Sequence, residues 1–242
     1  GGPWSTGAAR QAARGGLRIG AGLVTVMSPR EAAAVNAAHL EAVMLRPFDD
    51  AEQLGRLVET SDVVLIGPGA GVDEATQANV LSVGRTGAAL VLDADALTVF
   101  RHDPDALFAT LDRDDVLTPH EGEFERIFPG LLARGDREAA ALEAAARADA
   151  VVLLKGSETV IAAPDGRLAV NAPASPWLAT AGSGDVLAGF LGGLMAQGMD
   201  SFEAACAAAW IHAACAEAFG PGLVSEDLPD LVPAVLRRLP TA

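Results

Sequence analysis

The sequence predicts an α/β fold: a doubly wound, mostly parallel central sheet with helices on both faces. Three observations carry this. Short apolar runs alternate with longer amphipathic ones along the chain. Several short runs, such as Asp62-Val63-Val64-Leu65-Ile66-Gly67, are continuous Val, Leu and Ile, the pattern of strands buried on both faces. No fixed-period repeat and no Pro/Ser linker divides the 242 residues, so one domain is expected over 1–242.

From the N-terminus, a helix rich in small residues is expected over 5–20, with Ser5 or Thr6 as its N-cap. A strand follows at 22–27, then a helix at 30–39, a strand at 42–46 and a helix at 50–60. The run at 62–67 is a strand, 73–85 a helix, and 88–93 and 114–118 are strands. Helices are expected at 121–128 and 136–148, where Glu121 and Glu123 fall in a first turn. The strand 150–155 leads to a hairpin-like pair, 158–163 and 167–171, joined by Pro-Asp-Gly, which adds an antiparallel element. Helices at 184–198, 201–219 and 226–238 complete the chain.

Seventeen Lys and Arg residues face 32 Asp and Glu, a net charge of −15. Such a chain lacks the basic face of a general nucleic-acid binder and the basic clusters that dock on anionic lipid. No apolar run approaches the roughly 18–20 residues that cross a bilayer. The opening Gly-Gly-Pro-Trp has no Met and no signal peptide, as in a processed, trimmed or partial chain. Cys206 and Cys215 lie nine positions apart in a helical pattern, roughly 13 Å of rise and too far for a disulfide. A reducing, cytoplasmic location is expected.

The glycine-rich run Ala181-Gly182-Ser183-Gly184-Asp185 precedes a helical stretch. Glycines let backbone amides approach a ligand, and a helix N-terminus carries partial positive charge, so the run can form an anion hole. Asp185 can cap the helix or take a proton from a hydroxyl held over the amides. From Leu168 to Leu236 there is no Lys or Arg, so an anion bound here depends on backbone amides. Lys155, the only lysine, ends a buried strand at the sheet edge where such folds bind ligands. It can meet a phosphate or snorkel to solvent.

His120, in Leu117-Thr118-Pro119-His120-Glu121-Gly122-Glu123, can bind substrate, shuttle a proton or cap the next helix. His39, His102 and His212 lack such a context and are expected to be structural or solvated. Gly67-Pro68-Gly69-Ala70-Gly71 lacks a full dinucleotide fingerprint and suits a glycine-rich wall beside a ligand. Asp93 and Asp95 end a strand and can orient a ligand or hold Mg²⁺ through water; Asp95 can equally cap a helix. No paired-cysteine metal spacing, Walker A loop or G-x-S-x-G elbow is present.

Six stretches in this order resemble the ADP/ATP-dependent NAD(P)H-hydrate dehydratases, of ribokinase-like fold. They are T-G-A-A with L-R-I-G-A-G-L-V-T-V, I-G-P-G-A-G, L-D-A-D-A-L, L-T-P-H-E-G-E-F, L-L-K-G-S-E-T-V-I and A-T-A-G-S-G-D-V-L-A-G. The resemblance implies a repair lyase that returns hydrated NADH or NADPH to the normal cofactor while a nucleotide is consumed. With ADP the products are AMP and phosphate. It also implies that Lys155, Gly156, Ser157, Glu158, Thr159, Gly182, Ser183 and Gly184 face the nucleotide. Ala8, Gly69, Asp95, His120 and Asp185 would face the hydrated dinucleotide, with Asp185 as the catalytic base and Mg²⁺ bridging phosphates. A homo-oligomer such as a tetramer is expected, with the small-residue helix 201–219 packing tightly within or between subunits.

The stretch Asn171–Thr180 departs from the family's usual Gly-Asn and Met pattern, and Trp177 there suits either base stacking or core packing. The family's glycine-rich first strand, expected before Gly1, is not in this sequence. In many bacteria this domain follows an epimerase domain. Two other readings remain: a vitamin-alcohol kinase of the same fold, and a non-catalytic nucleotide sensor, for which Asp185 would be superfluous.

Overall fold

A computed structural model describes residues 1–171 and 175–239. The order is α1 (Thr6–Ile19), β1 (Thr25–Pro29), α2 (Arg30–Ala37), β2 (Met44–Phe48), α3 (Ala51–Val58), β3 (Val63–Ile66), α4 (Glu74–Val83), β4 (Ala89–Leu92), α5 (Asp95–Thr98), α6 (Pro104–Phe108), β5 (Val116–Leu117), α7 (Glu121–Ile127), α8 (Arg137–Ala148), β6 (Val151–Leu154), β7 (Thr159–Ala162), β8 (Leu168–Asn171), α9 (Ser183–Met195), α10 (Ser201–Phe219) and α11 (Leu228–Leu236). Every expected strand and helix is present, most of them shorter than expected. Two short helices, α5 and α6, were not expected. They are too short for apolar periodicity, and α6 starts on local chemistry instead: Asp103 accepts the Ala106 amide, with Pro104 in the first turn.

The main sheet has the order β3-β4-β5-β6-β7-β8. Its first four strands are parallel, and β7 and β8 form the antiparallel hairpin. Strand residues alternate between two cores, as the period-two geometry of a strand requires. Val91, Val116, Val151, Leu153 and Ile161 pack with α9, α10 and α11. Leu90, Leu92, Leu117, Val152 and Leu154 pack with α3, α4, α5, α7 and α8. Helices thus cover both faces, although neighbouring strands follow one another in sequence.

The small residues of α1 have a packing reason. Gly189 and Gly193 of α9 lie against the backbone of Ala12 and Gly16, so close that a Cβ at either glycine would overlap α1. The small-residue helix α10 packs against α9, α11 and the hairpin, with Trp210 left exposed. No helix among the described residues is long and apolar enough to cross a membrane. Cys206 and Cys215, both on α10, are free thiols.

β1 and β2 form a separate parallel pair. Between β1 and β3 lies a cavity of about 1360 Å³, walled by α1, α3, α4 and α9. Gly1, Gly67 and Pro68 are among its lining residues, and neither Lys155 nor Asp185 lines it.

Candidate active site

Because β3 to β6 run parallel, the residues that follow them emerge at one edge: Gly67, Asp93, Thr118 to His120, and Lys155. The antiparallel β7 brings Thr159 to the same edge. This is where open α/β sheets present ligand-binding groups.

The start of α9 faces this edge. Gly182, its N-cap, has φ +86°, a left-handed conformation that glycine adopts without a Cβ penalty. No side chain caps the helix. Ser183 Oγ turns back to donate to the Leu178 carbonyl at 2.8 Å. His212 Nε2 lies 2.9 Å from the Ser183 carbonyl and braces the loop from below. His212 is buried, and burial pushes its pKa down to about 4, so it is a neutral structural donor.

Asp185, in the first turn of α9, makes no capping hydrogen bond, so of its two expected roles the cap is not used. Burial raises its pKa to about 6, and the nearby Asp93 charge pushes the same way against Lys155. A raised pKa alone does not mark a site. Asp115 is pushed by burial to about 7, yet it accepts the Leu90 amide at 2.7 Å and the Asp112 amide at 2.9 Å, tying strands together.

Lys155 lies beside Gly184. A Cβ placed at Gly184 would stand 3.5 Å from Lys155 Nζ. The ammonium donates to Asp93 Oδ1 at 2.6 Å and lies 3.8 Å from Glu123 Oε2. It does not snorkel: its side chain is 18% exposed. The Lys155 amide donates to the Pro119 carbonyl at 2.8 Å, in a bridge that pairs Lys155 with His120. Gly156, Ser157 and Glu158 form the turn into β7, and Arg137 braces it by donating to the Glu158 carbonyl at 3.2 Å. Thr159 is buried at the start of β7.

His120 caps α7. Its Nδ1 accepts the Gly122 amide at 2.9 Å and the Glu123 amide at 3.2 Å, and Glu123 answers by accepting the His120 amide at 2.9 Å. Of the roles open to His120, the geometry shows capping through Nδ1. Its side chain is 54% exposed, and its Nε2 lies 3.2 Å from Glu123 Oε1. Asp95 is the first residue of α5, and its Oδ2 accepts the Gly71 amide at 2.8 Å. Ser5 Oγ donates to the Gly69 carbonyl at 3.0 Å. Ala8 Cβ lies 3.3 Å from where a Gly69 Cβ would be. Ala8, Gly69 and Asp95 therefore form one wall, while Lys155 and Gly182 to Asp185 form the other.

Trp177 is 38% exposed, in a single helical turn before the loop. Residues 172–174 of the unusual loop lie outside the described residues. Sequence reasoning missed Arg137, Gln11 and Ser225; the last two lie against Gly182. Nothing in their local sequence marks them, since each reaches the site from a distant element. Asp93 was weighed as a ligand or Mg²⁺ contact, and its carboxylate instead meets Lys155.

The chain is 43% identical over 219 residues to the bifunctional NAD(P)H-hydrate repair enzyme Nnr of Gloeobacter violaceus, covering 87% of this chain and 42% of that protein. It is 40% identical over 176 residues to the ADP-dependent (S)-NAD(P)H-hydrate dehydratase of Neisseria meningitidis, covering 70% and 59%. The chain spans about half the length of the curated relatives it matches. The structure of the ADP/ATP-dependent NAD(P)H-hydrate dehydratase of Bacillus subtilis, co-crystallised with ATP/Mg²⁺ and soaked with CoA, superimposes with a TM-score of 0.85 at 30% identity, covering 98% of this chain and 89% of that one. Ribokinase of Thermotoga maritima, at 14% identity and a TM-score of 0.62, shares the fold alone. Residues 1–231 match the NAD(P)H-hydrate dehydratase family, and this chain, with a ribokinase-like fold, belongs to it.

Proposed function

We propose that the chain dehydrates hydrated NADH or NADPH to the normal cofactor, consuming ADP and releasing AMP and phosphate. One observation carries this reading: an uncapped glycine loop with Asp185 in its first helical turn faces the only lysine. The Asp185 carboxylate takes the proton of the hydrate hydroxyl, and that oxygen attacks the β-phosphorus of ADP. The bond to the bridging oxygen breaks and AMP leaves. The phosphate ester then departs as its C–O bond breaks and a ring proton is lost, restoring the dihydronicotinamide. The Gly182 and Gly184 amides and Lys155 balance the charge on the transferring phosphoryl group. Burial that raises Asp185 makes its carboxylate a better base.

Among the described residues no group of three or more His, Cys, Asp or Glu side chains can hold a metal ion. Mg²⁺ fits as a partner of the nucleotide phosphates, where it would supply charge neutralisation. Ser157, Glu158 and Gly156 would border the nucleotide, and the Ala8–Gly69–Asp95 wall the dinucleotide.

The test is recovery of nicotinamide absorbance from hydrated NADH and hydrated NADPH with Mg²⁺ and either ADP or ATP. Recovery with ADP supports the reading. No recovery with either nucleotide, together with ATP turnover on a vitamin alcohol, would establish the kinase reading instead.

We propose a cytoplasmic homo-oligomer, a tetramer, whose mass light scattering measures. We also propose that the cavity between β1 and β3 takes the strand expected ahead of Gly1. In its support, both strands present a free edge there, run in parallel pairs, and end near Gly1. A version of the chain extended at its N-terminus should melt well above this one.

A further inference from the structure

The buried carboxylate of Asp93 has no part in the chemistry above. It is 1% exposed, at the end of β4, and its Oδ1 accepts from Lys155 Nζ at 2.6 Å. Glu123, 6% exposed, has its Oε2 3.8 Å from the same ammonium. The base of the lysine is fixed as well, by the Pro119 carbonyl at its amide. Each of these groups comes from a different element, and they converge on one nitrogen.

A lysine is a point charge on a flexible four-carbon stem, with three donors that rotate. Left free, it would sample many positions near the glycine loop. One N–H committed to Asp93 fixes the direction of the stem and leaves the others for an anion. The fixed ammonium then stands beside Gly184, at the uncapped start of α9. Asp93 is too buried to meet a solvated ligand by itself.

We propose that Asp93 is a positioning residue, which holds the Lys155 ammonium beside Gly184 so that its remaining N–H groups meet a phosphate of the nucleotide. This rests on the nucleotide reading above. Its effect belongs to nucleotide binding and phosphoryl transfer, and not to the dinucleotide wall.

A double-mutant cycle over Asp93→Asn and Lys155→Met tests it, read by calorimetric binding of Mg·ADP and by steady-state rates. Asp93→Asn should weaken Mg·ADP binding and lower kcat by about tenfold each, in the range of losses for residues that orient a binding group. The KM for the hydrated dinucleotide should stay within about twofold, and the discriminating readout is the calorimetric Kd, because general unfolding lowers kcat and the number of sites but leaves the Mg·ADP Kd of the folded fraction unchanged. In the Lys155→Met background the same substitution should change nothing beyond about twofold. Lys155→Met leaves the buried Asp93 carboxylate unpaired, whereas the double variant leaves neither charge unpaired; if Asp93→Asn alone fails to fold, a loss of Mg·ADP affinity beyond about twofold between these two still overturns the proposal. Equal losses with and without Lys155 would overturn the proposal, as would wild-type Mg·ADP affinity in Asp93→Asn. If the unaltered chain binds Mg·ADP but leaves hydrated NADH untouched, the dehydratase reading fails while the binding cycle still judges Asp93. If it binds neither ADP nor ATP, both fail.

Discussion

Two glycine loops border the site, and they are built in opposite ways. Around Gly67–Gly71 the backbone polar groups are taken up by side chains: Asp95 accepts the Gly71 amide and Ser5 donates to the Gly69 carbonyl. At Gly182–Gly184 no side chain caps the helix, the Ser183 amide donates to the Thr180 carbonyl at 3.3 Å, and the hydroxyl of Ser183 turns away to Leu178, so the Gly182 and Gly184 amides are the ones left open. In sequence both read as glycine-rich turns, one after a strand and one before a helix. The difference teaches that glycine provides access, while the partners of the amides decide what that access is for. A loop with its amides occupied is a wall. A loop with its amides free at a helix start is a receptor for negative charge.

The largest expected effect breaks the receptor without touching the wall. Asp185→Asn should lower kcat by about 10²–10⁴-fold, the usual contribution of a general base, with Mg·ADP affinity mostly kept. In the unaltered enzyme the base must be ionised, and its pKa is raised to about 6. The rate should therefore hold above that pH and fall as pH drops below it, about tenfold per unit. A flat profile through pH 5 would remove Asp185 as the base.

The next effect sets the two loops side by side. Gly182→Ala places a Cβ at φ +86°, 2.8 Å from Ser225 Oγ, which shifts the free amides. It should lower kcat by about 10²–10³-fold, as loss of one oxyanion donor does, and cost about 1–2 kcal/mol of stability. Gly67→Ala puts its Cβ into the Asp93 carbonyl at φ +129°. Its signature should be a lowered Tm at least as large as that of Gly182→Ala. If both substitutions lower Tm alike and leave kcat alone, the contrast between wall and receptor is wrong.

The smallest effect sharpens the wall. Asp95→Ala frees the Gly71 amide and should cost about 1–3 kcal/mol if that amide stays unpaired. It should raise the KM for the hydrated dinucleotide while the calorimetric affinity for Mg·ADP stays unchanged.

Much of this was legible in the sequence because it is local. The continuous Val-Val-Leu-Leu of 151–154 reads as a strand buried on both sides, and both cores do meet there. The capping role of His120 was one of its open readings because the capped amides lie two and three residues away. The helices α5 and α6 were not legible, since four and five residues carry no period. The separation of β1 and β2 from the main sheet was not legible either, because pairing partners are set by which edges meet in space.

By itself, the sequence determined the alternation of strands and helices, the glycine loop with Asp185, and the single lysine with its place at a strand end. The physical reason is that propensity, burial pattern and turn chemistry act over a few residues. Only the tertiary structure decided that Asp93, 62 positions away, would hold that lysine, and that Asp95 would close one glycine loop while the other stayed open. Those choices depend on groups that meet because parallel strands bring their ends to one edge.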